Sequence, residues 1–130
     1  MEETVVQKLI EKAKDCAQNA YCPYSTLPVG ACVLTQNGML FGGCNIENVA
    51  FECFCGASEV ALLKAVSEGC TNITALAIYC EDEMPLPSGK ERQLLREFSS
   101  RATVICANKT ETLQFSINEL LPFPKEQSDI

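Results

Sequence analysis

The stretch from Cys44 to Gly69 constrains this chain more than any other part of it. It reads as the end of a strand, a polar loop, and a helix that begins near Ala57, with Gly69 placed to cap it. Val60, Ala61, Leu63, Ala65 and the stem of Lys64 are expected along or beside one stripe of that helix. A strand that feeds a helix needs further layers against which both can bury their apolar sides. The remaining segments supply them.

Val5, Val6, Leu9, Ile10, Ala13, Cys16, Ala17 and Ala20 recur at helical spacing over residues 2–20, and two prolines in Tyr21-Cys-Pro-Tyr-Ser-Thr-Leu-Pro end that helix. Val29 to Thr35 is a strand. Asn37-Gly38 is a strong hairpin signal, so Met39 to Cys44 should return antiparallel, with Gly42-Gly43 allowing a close backbone approach or a bulge. Ile73 to Cys80 looks like a buried strand, parallel to a neighbour because a helix precedes it. An acidic, proline-rich loop from Glu81 to Pro87 then leads into a helix striped by Leu94, Leu95 and Phe98. Its start, Ser88-Gly-Lys-Glu91, has the spacing of a capping box. Strands at Ala102–Ala107 and Thr112–Ser116 follow, then a short helical turn at Ile117-Asn-Glu-Leu-Leu. The order predicts a single α/β domain over 1–130, a three-layer α-β-α sandwich with a five-stranded mixed sheet.

The formal charge of −7 and the absence of a basic stripe argue against nucleic acid as a partner. Lys8, Lys12 and Lys14 are interleaved with Glu11 and Asp15, which describes a solvated helix face. Met1-Glu2-Glu3 is acidic where a secretory leader is basic, and no apolar run is long enough to span a membrane. A cytoplasmic location is therefore expected, and the nine cysteines are expected to be reduced. Cys32, Cys80 and Cys106 fall in strand-like runs and Cys16 on a helix stripe, as ordinary packing thiols do.

Several motifs resemble the cytidine deaminase family, in its small, homotetrameric, zinc-dependent form. Tyr21-Cys-Pro-Tyr-Ser, Pro28-Val-Gly-Ala, Gly43-Cys-Asn-Ile-Glu-Asn, Lys64-Ala-Val-Ser-Glu-Gly, Arg92-Gln with Arg96-Glu-Phe, and Glu119-Leu-Leu-Pro match it in order and at matching separations. The likeness runs from about Val6 to Pro122, and the tail from about 122 diverges. In that family a Cys-Ala-Glu triplet opens the second helix and Pro-Cys-x-x-Cys opens the third. Three thiolates hold zinc, and the Glu shuttles a proton during attack of water on the base.

Here the triplet falls on Gly56-Ala57-Ser58, and Ser88 and Glu91 stand at the other two ligand positions. All four catalytic positions, Gly56, Ser58, Ser88 and Glu91, therefore depart from the pattern. Zinc lowers the pKa of its water from about 15.7 to about 7, so its loss makes hydroxide scarcer by about eight orders of magnitude. Loss of the general acid/base costs roughly another 10²–10⁴. Cys53, Cys55 and Glu59 with Glu91 form a conceivable relocated ligand set. However, one residue on a helix is about 100° of rotation, which should turn Glu59 away. The arginine that follows the catalytic Glu in the family is also replaced, by Glu59.

The resemblance assigns Asn45 and Glu47 to ribose binding; read from the residues alone, they serve equally as loop-stabilising hydrogen-bond partners. Ala57 contacts the base through its backbone in the family, and Leu27 stands where a phenylalanine often stacks. Phe51 replaces an aromatic that reaches a neighbouring subunit. The leading expectation is a catalytically inactive homologue with a regulatory, scaffolding or weak pyrimidine-nucleoside-binding role. It would hold no cofactor and would form a homotetramer or a hetero-oligomer with an active paralogue. The alternative is an active zinc-dependent deaminase of cytidine or deoxycytidine with an atypical metal site.

Overall fold

Val6, Leu9, Ile10 and Ala13 recur every three or four residues. In the computed structural model, which describes residues 1–129, they are the buried face of helix α1 (Glu3–Ala17). Strands β1 (Val29–Thr35) and β2 (Leu40–Cys44) form the expected hairpin, with Gly30 opposite Cys44 and Leu34 opposite Leu40. Gly38 supplies the turn's positive φ of 86°. Helix α2 (Ala57–Ser67), strand β3 (Ile73–Cys80), helix α3 (Gly89–Phe98), strands β4 (Thr103–Ala107) and β5 (Thr112–Ser116), and helix α4 (Ile117–Leu120) complete the chain.

The five strands lie in the order β2-β1-β3-β4-β5. Only β3 and β4 run parallel; the other neighbours are antiparallel. Helix α3 makes the crossover between the parallel pair, as a parallel connection requires. Side chains alternate across both faces of the sheet. Cys32, Ala75, Ala77, Tyr79 and Ile105 pack beneath α1. Ala31, Val33, Leu76, Val104 and Cys106 pack on the other face with Ala61, Leu62 and Ala65 of α2 and Leu95 of α3. Each fully buried Leu of this second core contributes about 1.5–3 kcal/mol relative to exposure. The molecule is thus the expected three-layer α-β-α sandwich.

The stripe expected on α2 needs correction. Its buried residues are Ala57, Ser58, Glu59, Ala61, Leu62 and Ala65, while Leu63 and Lys64 are exposed. The physical reason lies in Gly43. A Cβ there would stand 2.6 Å from the Ala61 nitrogen and 2.8 Å from the Ala57 oxygen, so strand and helix touch backbone to backbone. That contact selects the helix rotation. Lys64 then reaches back to donate to the Gly42 carbonyl. Gly69, with φ 91°, lies one residue beyond the α2 cap at Glu68.

All nine cysteines are free thiols. Cys32, Cys80 and Cys106 are buried in the sheet as expected, and burial pushes the Cys32 thiol up to about 12 and Cys106 to about 11. Among the described residues no helix is long and apolar enough to cross a membrane.

Candidate functional site

The N-termini of α2 and α3 and the ends of β1 and β3 surround a cavity of about 300 Å³. That is near the lower end for small-molecule sites, at roughly 300–1,000 Å³. Val29, Ile78 and Cys80 come from the strands, Gly56, Ala57 and Ser58 from the start of α2, and Ser88 and Glu91 from the start of α3. Leu27 and Asn45 complete one wall. Seven of the fifteen lining residues are positions the sequence singled out. Reading the sequence missed Val29, Ile78, Cys80, Phe54 and the Glu83–Leu86 loop; for the loop, the signal was the acidic, proline-rich composition of the segment leading into α3.

One carboxylate joins the two helix ends. Ser88 caps α3 by accepting from the Glu91 amide at 3.2 Å, and Glu91 Oε1 accepts from the Ser88 amide at 2.9 Å. This is the expected capping box. Glu91 Oε2 also accepts from the Glu59 amide of α2 at 3.3 Å. A helix start leaves its first amides unpaired and carries partial positive charge, so one anion here satisfies donors of two helices. Gly56 caps α2 without a side chain, and a Cβ on it would lie 2.2 Å from Glu91 Oε2. The carboxylate occupies the space that a side chain at position 56 would need.

Ser58 is 1% exposed, and its hydroxyl has no hydrogen-bond partner among the described residues. Buried hydroxyls without partners are uncommon and point to a missing group. Glu59 does turn away from the cavity, and its carboxylate pairs with Lys90 at 3.0 Å. The hydrogen bond to Glu59 raises the Lys90 ammonium above its ordinary range, but Lys90 is exposed and water screens the pair.

Asn45 and Glu47 part company. The Asn45 side chain accepts from the Val29 amide at 2.9 Å and donates to the Leu27 carbonyl at 3.0 Å, fixing the wall that carries Leu27. Glu47 does not line the cavity. Its Oε1 accepts from the amides of Tyr24 at 2.9 Å and Ser25 at 3.1 Å, beside a groove bounded by Tyr24, Val49, Phe51 and Phe54. Its carboxyl sits below its ordinary range. The Ser25 hydroxyl contributes most to that, burial opposes it, and the two amides add to it. These bonds hold a loop in which Thr26 has a φ of 57°, a conformation a β-branched residue adopts only when its surroundings over-determine it.

Cys53 and Cys55 do not line the cavity. The backbone of Cys55 pairs with Ile46 in both directions. Among the described residues no three His, Cys, Asp or Glu side chains come together to hold a metal ion, so the relocated set of Cys53, Cys55, Glu59 and Glu91 is not assembled. Phe51 is 86% exposed and Val49 85%, with the Phe51 ring stacked on Phe54 at 6.5 Å.

Residues 3–107 match the family model described as the cytidine and deoxycytidylate deaminase zinc-binding region. The chain is 39% identical over 126 residues to a cytidine deaminase of Sporosarcina psychrophila, covering 93% of each chain. It is 36% identical over 119 residues to a cytidine deaminase of Halalkalibacterium halodurans, covering 89% of this chain and 90% of that one. The crystal structure of a cytidine deaminase from Burkholderia pseudomallei superimposes with a TM-score of 0.88 at 32% identity, covering 96% of this chain and 100% of that one.

The matched region is named for zinc, which speaks for that ion in the family. The donors present here do not fit it. Gly56 offers none, the Ser88 hydroxyl is engaged by the Glu91 amide, and both Glu91 oxygens accept backbone N–H groups. Neutral hydroxyls are poor zinc ligands beside thiolate and imidazole.

Proposed function

The chain belongs to the cytidine and deoxycytidylate deaminase family, and on that premise we propose that it retains a pyrimidine-nucleoside cavity without zinc-dependent hydrolysis. One observation carries this reading. The carboxylate of Glu91 stands where a side chain at position 56 would reach between the two helix ends, and it is consumed by their amides. Asn45, Leu27 and Ala57 supply the walls for a nucleoside, and Glu47 supports the loop beside them. Ser58 replaces a proton-shuttling carboxylate with a group that does not ionise near neutral pH. Without an activated water and a general base, the barrier rises by the equivalent of about ten to twelve orders of magnitude in rate.

The role is then one of binding and support. Val49 and Phe51 present exposed apolar surface, the kind of patch that marks contact with another chain. Further copies in a homotetramer, or an active paralogue in a mixed assembly, would cover it. Nine free thiols fit a reducing, cytoplasmic setting.

A second reading, favoured by relatives 36% and 39% identical that carry the name cytidine deaminase, is an active deaminase of cytidine or deoxycytidine. Zinc would then need the relocated set of Cys53, Cys55, Glu59 and Glu91 to come together, which among the described residues it does not do. Metal analysis of protein expressed with ample zinc, together with an assay for uridine from cytidine, separates the two. About one zinc per chain with turnover establishes the enzyme; neither zinc nor uridine supports the binding role. As a positive control, Gly56→Cys, Ser58→Glu, Ser88→Cys and Glu91→Cys together should restore zinc binding.

A further inference from the structure

Strand β2 carries Gly42 and Gly43 side by side and then a thiol, Cys44. Gly43 meets α2, so Gly42 and Cys44 face the opposite way, toward α1. The Cys16 sulfur fills the place that a Cβ on Gly42 would take, and Lys12 reaches the same point with its Cε at 3.3 Å. Cys44, the next residue of β2 on that face, is paired with Gly30 of β1. A Cβ on Gly30 would stand 2.6 Å from the Ala17 nitrogen, so the last turn of α1 lies backbone to backbone on the hairpin there. Gly30 and Gly42 thus let α1 settle low enough to lay Cys16 beside Cys44. Both thiols are free and half-buried, within reach of solvent.

The two sulfurs are not equivalent. The Lys12 ammonium, one bond beyond the carbon at Gly42, stands ready to stabilise the hydroxide that leaves a peroxide attacked by Cys16. The Cys44 thiol sits above its ordinary range; burial does most of this, Cys16 adds to it, Lys64 opposes it and Cys22 adds least. Cys32, opposite Gly42, is fully buried and shielded from an oxidant. We infer that Cys16 and Cys44 are an oxidisable pair, which a small hydroperoxide converts into an intramolecular disulfide between α1 and β2. The Cys16 sulfur attacks one peroxide oxygen. An S–O bond forms, the O–O bond breaks, and the departing hydroxide takes up the proton that Cys16 gave up and leaves as water. Cys44 then attacks the sulfenic sulfur; the S–S bond forms, the S–O bond breaks, and the sulfenic hydroxyl leaves with the Cys44 proton as a second water. The two sulfurs together lose two electrons, and the peroxide gains them. Cys44 precedes Asn45, whose side chain holds the Leu27 wall of the cavity, so the link ties that wall to α1.

Treating the reduced full chain with hydrogen peroxide, blocking the remaining thiols and mapping its peptides by mass spectrometry tests this. A Cys16–Cys44 link, two hydrogens lighter and opened by dithiothreitol, is expected as the main product. It should form before the exposed thiol of Cys53 is oxidised. Closing the loop from 16 to 44 should raise the melting temperature by roughly 5–15 °C. In Cys44→Ser the sulfenic acid has no resolving partner, so a dimedone adduct should collect on Cys16. Cys16→Ser should abolish the link without giving such an adduct on Cys44. Peroxide that leaves both thiols free, a dominant link to Cys22 or Cys32 or between two chains, or an oxidised chain that melts below the reduced one would each overturn the inference. Mapping of the unaltered chain decides this whether or not the serine variants fold, which their melting curves report.

Discussion

Glu47 and Glu91 are both nearly buried carboxylates, and each accepts two backbone amides, yet they do different work. Glu47 spends one oxygen on consecutive residues of a single loop, Tyr24 and Ser25. Glu91 spends both oxygens on two separate helices. The first stands where the resemblance already places a carboxylate; the second stands where it places a metal ligand. The difference teaches how a single carboxylate can tie two helix starts together. The two helix ends still need a common anion, and a side chain anchored in one of them supplies it.

Breaking the helix clamp should have the largest effect. Glu91→Ala leaves the Ser88 and Glu59 amides without their acceptor and removes a favourable charge from two helix starts. It should destabilise the chain by about 2–4 kcal/mol in chemical denaturation. A result no larger than that of Glu47→Ala would mean that the second helix contributes nothing. Gly56→Ala attacks the same clamp from the other side, by pushing a methyl group into the space held by Glu91 Oε2. The expected cost is about 1–2 kcal/mol, most of it disappearing in the Glu91→Ala background, so the double-mutant cycle should be strongly non-additive.

Ser58→Ala sharpens the picture with the opposite sign. Removing an unpartnered buried hydroxyl should stabilise the ligand-free chain by about 0.5–1 kcal/mol, read from the denaturation midpoint. The smallest effect is local and pH-dependent. Because the folded protein holds the Glu47 carboxyl below its ordinary range, the stabilisation is full above the unfolded pKa and fades as pH falls through the lower folded value. Hydrogen-exchange protection of the Tyr24 and Ser25 amides should decline over that acidic interval. In Glu47→Gln the dependence should vanish, while the amides between α2 and α3 remain unaffected.

Elements set by neighbouring residues were legible. Asn37-Gly38 announced the hairpin and Ser88-x-x-Glu91 announced the cap of α3, because their determinants lie within a few positions of one another. The strands showed through their apolar, β-branched runs. The facing of α2 was less legible. Its apolar residues suit two adjoining stripes, and the backbone contact at Gly43 chose the one that exposes Leu63. Asn45 and Glu47, two residues apart, gave no hint that one would line the cavity and the other a separate groove.

By itself the sequence determined the layered α/β architecture and put Gly56, Ser58, Ser88 and Glu91 at the positions where the resemblance expects three thiolates and a carboxylate. Residue chemistry at a counted position suffices for such statements. Only the tertiary structure decided which partners those residues have. The bond from the Glu59 amide to Glu91 spans 32 residues, and the unpaired state of Ser58 depends on every group packed around it. Partners so distant along the chain are chosen by packing, which no local pattern encodes.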